Sequence, residues 1–504
     1  WMIANSLKDR KKFSKCSIEE AGGLMQFPYI DDFFIGVKVN PYSAIPEKAL
    51  LAKHLVEPSS QSLSLGLSVH SNQNIYLPYD QLVLHTAILG KSGTGKTTLL
   101  KQMISQLYDS KVSVLIIEPV KREYRDLIAG LSGTKLFTIE RPYVPFLLNP
   151  FEVPEGVALS DYRSSLLSAF KAAFSLPDPL PSLFEKAISE AYTQYGWTDM
   201  SRIGDKSVTL FDMTDFLRVF KRIVLTSGYG KDTKGNVVSG GVFRLQSLLT
   251  RCPNTFDTLH STREKDVING CTVLEMGTLE PEQKSLVTAL TLIRLLAYLK
   301  ATRKSTNKLQ NIILIDEIHA LLDSGQGVTQ EELSVNIAME QLLINIITEM
   351  RAYGVGVILS DQSPSRVGSC ILDNVENLLA FRLTGEEAGI MKCHMGAEDN
   401  VESCLPLMSA GHFVLKNQYL QEPLGIYMPK LWVEEKHYSD MDLVFKQRDY
   451  LEEHKRDYCP FAECRNCPCC NVTIRAEAHM YATKIFNERC EKIQNVESLA
   501  EHLV

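Results

Sequence analysis

The sequence predicts an α/β protein built on a mostly parallel, doubly wound sheet, and three observations predict it. Residues 90–97 read Gly-Lys-Ser-Gly-Thr-Gly-Lys-Thr, a complete glycine-rich phosphate loop placed between an apolar run and an amphipathic one. Residues 311–317, Asn-Ile-Ile-Leu-Ile-Asp-Glu, form an apolar strand that ends in two acids. Around both motifs, short apolar runs alternate with stretches of helical periodicity, as in repeated βαβ units.

The loop needs a strand before it and a helix after it, and both flanks are present. Leu84 to Leu89 reads as a short buried strand, and Thr98 to Met103 opens a helix. Gly90, Gly93 and Gly95 let the backbone curl so that successive N–H groups point inward, with Ser92, Thr94 and Thr98 in the same cradle. The helix N-terminus adds its partial positive charge to that anion site. Lys96 would reach the β- and γ-phosphates, and the Thr97 hydroxyl would hold Mg²⁺. A nucleoside triphosphate, ATP, is the implied ligand. Asp316 would complete the Mg²⁺ shell and Glu317 would polarise the attacking water, since phosphoryl transfer is catalysed mainly by positioning and charge neutralisation. The pair predicts an Mg²⁺-dependent ATPase.

A chain of 504 residues can bury sizeable cores and implies two to four domains. No stretch reads as the roughly 18–20 consecutive apolar residues of a membrane span, so no membrane is expected. Residues 1–20 are polar and charged, without a secretory apolar region. The formal net charge of −7 places any nucleic-acid contact in a local patch or a lined pore. Six of the twelve cysteines scatter through residues 1–404, as reduced thiols of a cytoplasmic protein do.

Along the chain, residues 61–79 alternate as a β-hairpin around Ser71-Asn72-Gln73-Asn74. Val112 to Ile117 is the next strand, ending at Glu118, with Lys121, Arg122 and Glu123 close behind as candidates to line the nucleotide site. Residues 160–225 have helical periodicity, and 227–241 form a Gly/Ser/Lys loop. Further strands are expected at 271–275, 355–360, 378–383 and 411–417, with a long helix from about 283 to 303. The two nucleotide motifs are about 220 residues apart, more than a compact core needs, so the helical block looks inserted. The expected division is an N-terminal β segment (1–79), a core in two parts (80–150 and 266–430), a helical insertion (151–265) and a helical C-terminal extension (431–504).

Three segments resemble the HerA–FtsK translocases, the HerA branch most closely: Leu82 to Gly90, Thr348 to Arg366, and Leu405 to Val414. The resemblance covers about residues 65–430. It implies a RecA-like P-loop core assembled as a hexameric ring around DNA, working as an ATP-driven translocase or helicase. Gln362 matches the polar sensor that contacts the γ-phosphate or the water. Arg351 matches the arginine offered to a neighbouring subunit's nucleotide, with Arg366 a second candidate. Family members commonly act with a separate nuclease or other effector, in DNA-end processing or anti-phage defence. The alternative is an ATP-dependent ring platform that assembles and gates effectors without moving along DNA. HerA proteins also carry an N-terminal β-barrel, of which the 61–79 hairpin would be the last piece.

The tail carries a separate signal. Cys459, Cys464, Cys467, Cys469 and Cys470 lie within twelve residues, with overlapping C-x-x-C spacings. Cys459, Cys464, Cys467 and Cys470 could converge on Zn²⁺; an iron–sulfur cluster and plain reduced thiols stay open beside it. For DNA, the 227–241 loop with Lys231 and Lys234, and the basic stretch Lys300 to Lys308 with Arg303 and Lys304, are the candidate contacts.

Overall fold

The computed structural model describes residues 53–139, 144–230, 235, 238–277, 279–322, 330–429 and 437–454, and among these eleven strands form one sheet. The first six are β1 (Ser62–Ser68), β2 (Asn74–Pro78), β3 (Thr86–Leu89), β4 (Ser113–Glu118), β5 (Lys135–Thr138) and β6 (Cys271–Glu275). The others are β7 (Thr306–Ile315), β8 (Tyr353–Asp361), β9 (Asn377–Ala380), β10 (His412–Lys416) and β11 (Leu424–Tyr427). Their spatial order is β2-β1-β11-β10-β9-β3-β8-β7-β4-β6-β5. From β9 to β5 every pairing is parallel; from β9 back to β2 every pairing is antiparallel.

Strand order decides where the chemistry falls. β8 lies between β3 and β7, with Leu89 opposite Asp361 and Ile315 opposite Leu359. The phosphate loop, the two acids and Gln362 therefore leave three adjacent strands at the same, C-terminal edge, where open α/β sheets bind ligands. These central strands are buried on both faces, which is why Val114-Leu115-Ile116-Ile117 is an unbroken apolar run. From the loop the chain enters α1 (Lys96–Asp109), whose Leu99, Leu100, Met103, Ile104 and Leu107 face the core.

Between β5 and β6 the chain runs through α2 (Leu159–Ala173), α3 (Leu180–Gln194), α4 (Met213–Thr226) and α5 (Phe243–Arg251). These helices enclose an aromatic core of their own. Phe151 lies 4.4 Å from Phe216 between ring centroids, and Phe184 lies 4.6 Å from Phe220. Such pairs each add about 0.5–1.5 kcal/mol beyond the area they bury. After β6 comes α6 (Pro281–Thr302), entered through a capping box of Glu280 and Gln283. Its Arg294 is buried and ties the block to the core, donating to the carbonyls of Asn149 (3.2 Å) and Glu152 and pairing with Glu264.

The 61–79 hairpin extends the central sheet: β1 pairs with β11, Leu67 opposite Tyr427. Helix α6 is long and apolar enough to cross a membrane, although no such run stood out in the sequence; 72% of its apolar window is buried, and it packs against α2 and against α7 (Gln330–Met350). Its mean hydropathy is high because its few polar residues are diluted among Leu, Ile, Val and Ala. It is the central helix of this fold.

The edge strand β5 is covered. α8 (Asp440–Lys446) leads to Gln447, whose side-chain amide accepts from Leu136 N (2.8 Å) and donates to Leu136 O (3.1 Å). A glutamine thus takes the place of a twelfth strand and blocks edge-to-edge pairing at that point.

Candidate active site

The phosphate loop is shaped by close packing at its base. Gly90 sits at φ 154°, and a Cβ there would lie 2.5 Å from that of Phe381, so only glycine fits. Thr94 is buried; its hydroxyl donates to Lys91 O (2.7 Å) and its carbonyl accepts from Gly411 N (2.8 Å). Gly90 and Thr94 therefore build the loop, whereas Lys91, Ser92, Gly93, Gly95, Lys96, Thr97 and Thr98 line a cleft of about 380 Å³. That volume suits a small ligand. Lys96 donates to the Gly90 and Lys91 carbonyls. Burial lowers its pKa, while the charges of Glu317, Asp316 and Asp361 act to raise it.

The acids meet Lys96 in the same cleft. Asp316 accepts from the Tyr124 hydroxyl (3.1 Å) and from Glu317 N (3.0 Å). Burial holds its carboxyl above the usual range. Glu317 is a non-glycine residue in the left-handed region, at φ 49°. Such backbone costs on the order of 1–3 kcal/mol and persists only where its surroundings over-determine it. Here they do. Gln362 Nε2 donates to both Glu317 oxygens (2.9 and 3.2 Å), and Lys121 Nζ lies 3.0 Å from Oε1.

Several groups come from positions to which sequence reading gave no firm role. Glu123 accepts from the Thr97 hydroxyl at 2.6 Å and pairs with Lys121 at 3.2 Å. Burial works against its charge, but the Thr97 hydroxyl and Lys121 hold its carboxyl below the usual range. Burial likewise works against Lys121, yet its bonds to Glu317 and Glu123 push it up to about 12. Glu118, the last residue of β4, accepts from Glu123 N, and burial drives its pKa well above the ordinary value. Asp361 accepts from the backbone N–H groups of His319 (2.8 Å), Gln362 (2.6 Å) and Ser363 (3.2 Å), and from the His319 ring (2.9 Å). Its oxygens are spent on shaping the two loops that carry Glu317 and Gln362. A carboxylate 42 residues from the histidine it holds has no sequence signature, so only the sheet order reveals it.

Thr97, Asp316 and Glu123 offer oxygen donors, the set that suits Mg²⁺. The cleft's other lining is Ala410, Gly411, Tyr427 and Met428, from the ends of the antiparallel strands β10 and β11. Arg351 lies elsewhere. It is exposed, between the end of α7 and the start of β8, a full strand length from its own phosphate loop. Arg366 is exposed in the short helix after β8, at the loop edge, where its charge acts on His319. Of the basic stretch, Lys300 pairs with Glu349 and Arg303 with Asn311, while Lys304 is exposed. Lys231 and Lys234, and Cys459, Cys464, Cys467 and Cys470, lie outside the described residues.

A glycine-rich loop on β3, acids ending β7 and a glutamine beyond the intervening β8 define a RecA-like P-loop protein of the ATPase class. The family model described as "Helicase HerA, central domain" matches residues 64–335, more than half of the chain, and the chain belongs to that family. The DNA double-strand break repair helicase HerA of Sulfurisphaera tokodaii is 20% identical over 409 residues, covering 79% of this chain and 75% of that protein. Its namesake from Saccharolobus solfataricus is 21% identical over 360 residues, covering 70% and 66%. Among solved structures, VirB4 of Thermoanaerobacter pseudethanolicus aligns with a TM-score of 0.54 at 17% identity, over 74% of this chain and 98% of that one. The bacterial conjugative coupling protein TrwB aligns with a TM-score of 0.55 at 11% identity, over 76% and 92%. At such identities these two show the shared fold.

Proposed function

We propose that this protein is an Mg²⁺-dependent ATPase of the HerA type that assembles as a hexameric ring and drives duplex DNA through its pore. The observation that carries the reading is the catalytic end of the cleft: Glu317 is held by Gln362 and Lys121 beside Asp316, within the cleft that Lys96 lines. The loop N–H groups and Lys96 hold the triphosphate, and Glu317 takes the proton of the attacking water while Gln362 keeps its carboxylate aimed. Thr97 and Asp316, with Glu123 beside them, would hold Mg²⁺, which supplies charge neutralisation at the phosphates. Arg351 stands a strand's length from its own loop, so in this reading it serves a neighbouring subunit's nucleotide. The two relatives named for double-strand break repair favour work at DNA ends; in this reading a separate nuclease or other effector acts with the motor there, and anti-phage defence is the other setting in which the two would act together.

The test is the steady-state ATPase rate with and without linear duplex DNA, using Glu317→Gln as control. Strong stimulation that disappears in the control supports a DNA-coupled motor. Hydrolysis indifferent to DNA overturns translocation and leaves a ring that gathers and gates effectors.

A further inference from the structure

The cleft is chemically divided. One part carries Lys96, Lys121, Glu123, Asp316 and Glu317, all charged; the other is Ala410, Gly411, Tyr427 and Met428. A triphosphate accounts for the first part and leaves the second without a ligand group. The second part is built with some care. Gly411 sits at φ 82°, and a Cβ there would lie 3.2 Å from Met428 O and 3.7 Å from Tyr427 Cε2. Its N–H donates to Thr94 O in the phosphate loop, and its carbonyl accepts from Met428 N at 2.8 Å. The ends of β10 and β11 are thereby clamped against the loop, and Tyr427 is brought to the cleft with them.

The Tyr427 ring packs tilted against His412, centroids 4.7 Å apart and planes at 34°, yet the residue remains 38% exposed. The Gly411 and Met428 N–H groups are already spent on backbone carbonyls. Beside the Tyr427 hydroxyl, what this wall offers is an aromatic surface and apolar atoms, with the Gly411 and Met428 donors engaged elsewhere. We infer that Tyr427, with Ala410, Gly411 and Met428, forms the nucleobase subsite, taking the purine by stacking and discriminating little between adenine and guanine. The inference rests on the triphosphate reading of the same cleft. Stacking of a base on an aromatic side chain tolerates any base, because each has a π-face. Strong discrimination would need buried groups hydrogen-bonded to the base edge.

The experiment is equilibrium binding of ATP, GTP and inorganic tripolyphosphate, each with Mg²⁺, to the full chain and its variants. Tyr427→Ala and Tyr427→Leu should weaken ATP and GTP alike, roughly 5- to 150-fold, and leave tripolyphosphate unchanged; Tyr427→Phe should bind as the parent does. Unchanged ATP affinity in Tyr427→Ala and Tyr427→Leu overturns the inference. So does an equal loss of tripolyphosphate, which would make Tyr427 a brace for the loop, and so does a preference for ATP over GTP beyond about a thousandfold. Failure of the underlying reading looks different: the parent binds none of the three, or Lys96→Ala binds all three as tightly as the parent does.

Discussion

Glu317 shows how a residue is prepared for one task. Its backbone is held at φ 49°, its carboxylate accepts from Gln362, and Lys121 lies 3.0 Å away. A side chain so held needs little reorganisation to act as a base, and removing its acidity should cost turnover without costing affinity. Glu317→Gln is expected to keep ATP binding near normal and to lower turnover by about 10²–10⁴-fold; single-turnover kinetics beside a binding isotherm checks both halves. Lys96→Ala should instead abolish binding, because the ammonium that faces Asp316 and Glu317 is the group that would reach the β- and γ-phosphates. Normal turnover in either variant would remove the assignment of the site. That these residues belong to one site was legible in sequence, since the loop is eight consecutive residues and the acids are adjacent. The hold of Lys121 on Glu317, and of Glu123 on Thr97, was not, because neither pair is close in the chain.

Elements also meet through one buried histidine, at the opposite end of β3 from the site. His85, just before β3, accepts from Val357 N of β8 at 3.1 Å and sits in the left-handed region at φ 67°. Burial, assisted by the charge of Arg351, lowers its pKa from 6.5 to about 4. Its folded pKa lies below its unfolded one, so the unfolded chain binds the extra proton first. The neutral ring's stabilisation is therefore complete above about pH 6.5 and is lost as pH falls toward 4, by about 2 kcal/mol at pH 5. Urea melts at pH 7.5 and 5 should show that loss, and His85→Gln, which keeps an acceptor for Val357, should show about 2 kcal/mol less of it. An equal pH dependence in the two proteins would show that His85 does not titrate this way. Element by element, the inner parallel strands were readable because burial on both faces leaves unbroken apolar runs. β5 and β11, four residues each, were not. Both are too short to show a period, and their pairing with β6 and β10 is set by tertiary neighbours.

At the scale of the whole molecule, the position of Arg351 is the informative one. It follows α7 and precedes β8, whose other end reaches Asp361 beside the phosphate loop, so it cannot serve its own nucleotide. Arg351→Ala is expected to leave ATP affinity close to the parent's and to lower hydrolysis in the assembled protein by about 10³–10⁵-fold if it acts as an arginine finger. Mixing Arg351→Ala with Lys96→Ala subunits should restore part of the activity, each supplying what the other lacks; no recovery in mixed assemblies would argue against action between subunits. The cysteine tail has its own check. Metal analysis of the purified chain should find about one zinc per chain if Cys459, Cys464, Cys467 and Cys470 hold it, and none would return them to ordinary thiols.

What the sequence determined by itself was the phosphate chemistry and the class of fold around it. Phosphate binding is a local property: a glycine-rich turn, a helix N-terminus and one lysine suffice, and all lie within residues 90–98. What only the tertiary structure decided was the company these residues keep. β8 between β3 and β7 brings Gln362 onto Glu317 across 45 residues, and the antiparallel strands β10 and β11 deliver Gly411 and Tyr427 to a loop more than 300 residues earlier. Those meetings follow from strand order, and strand order is a property of the packed sheet that no window of sequence contains.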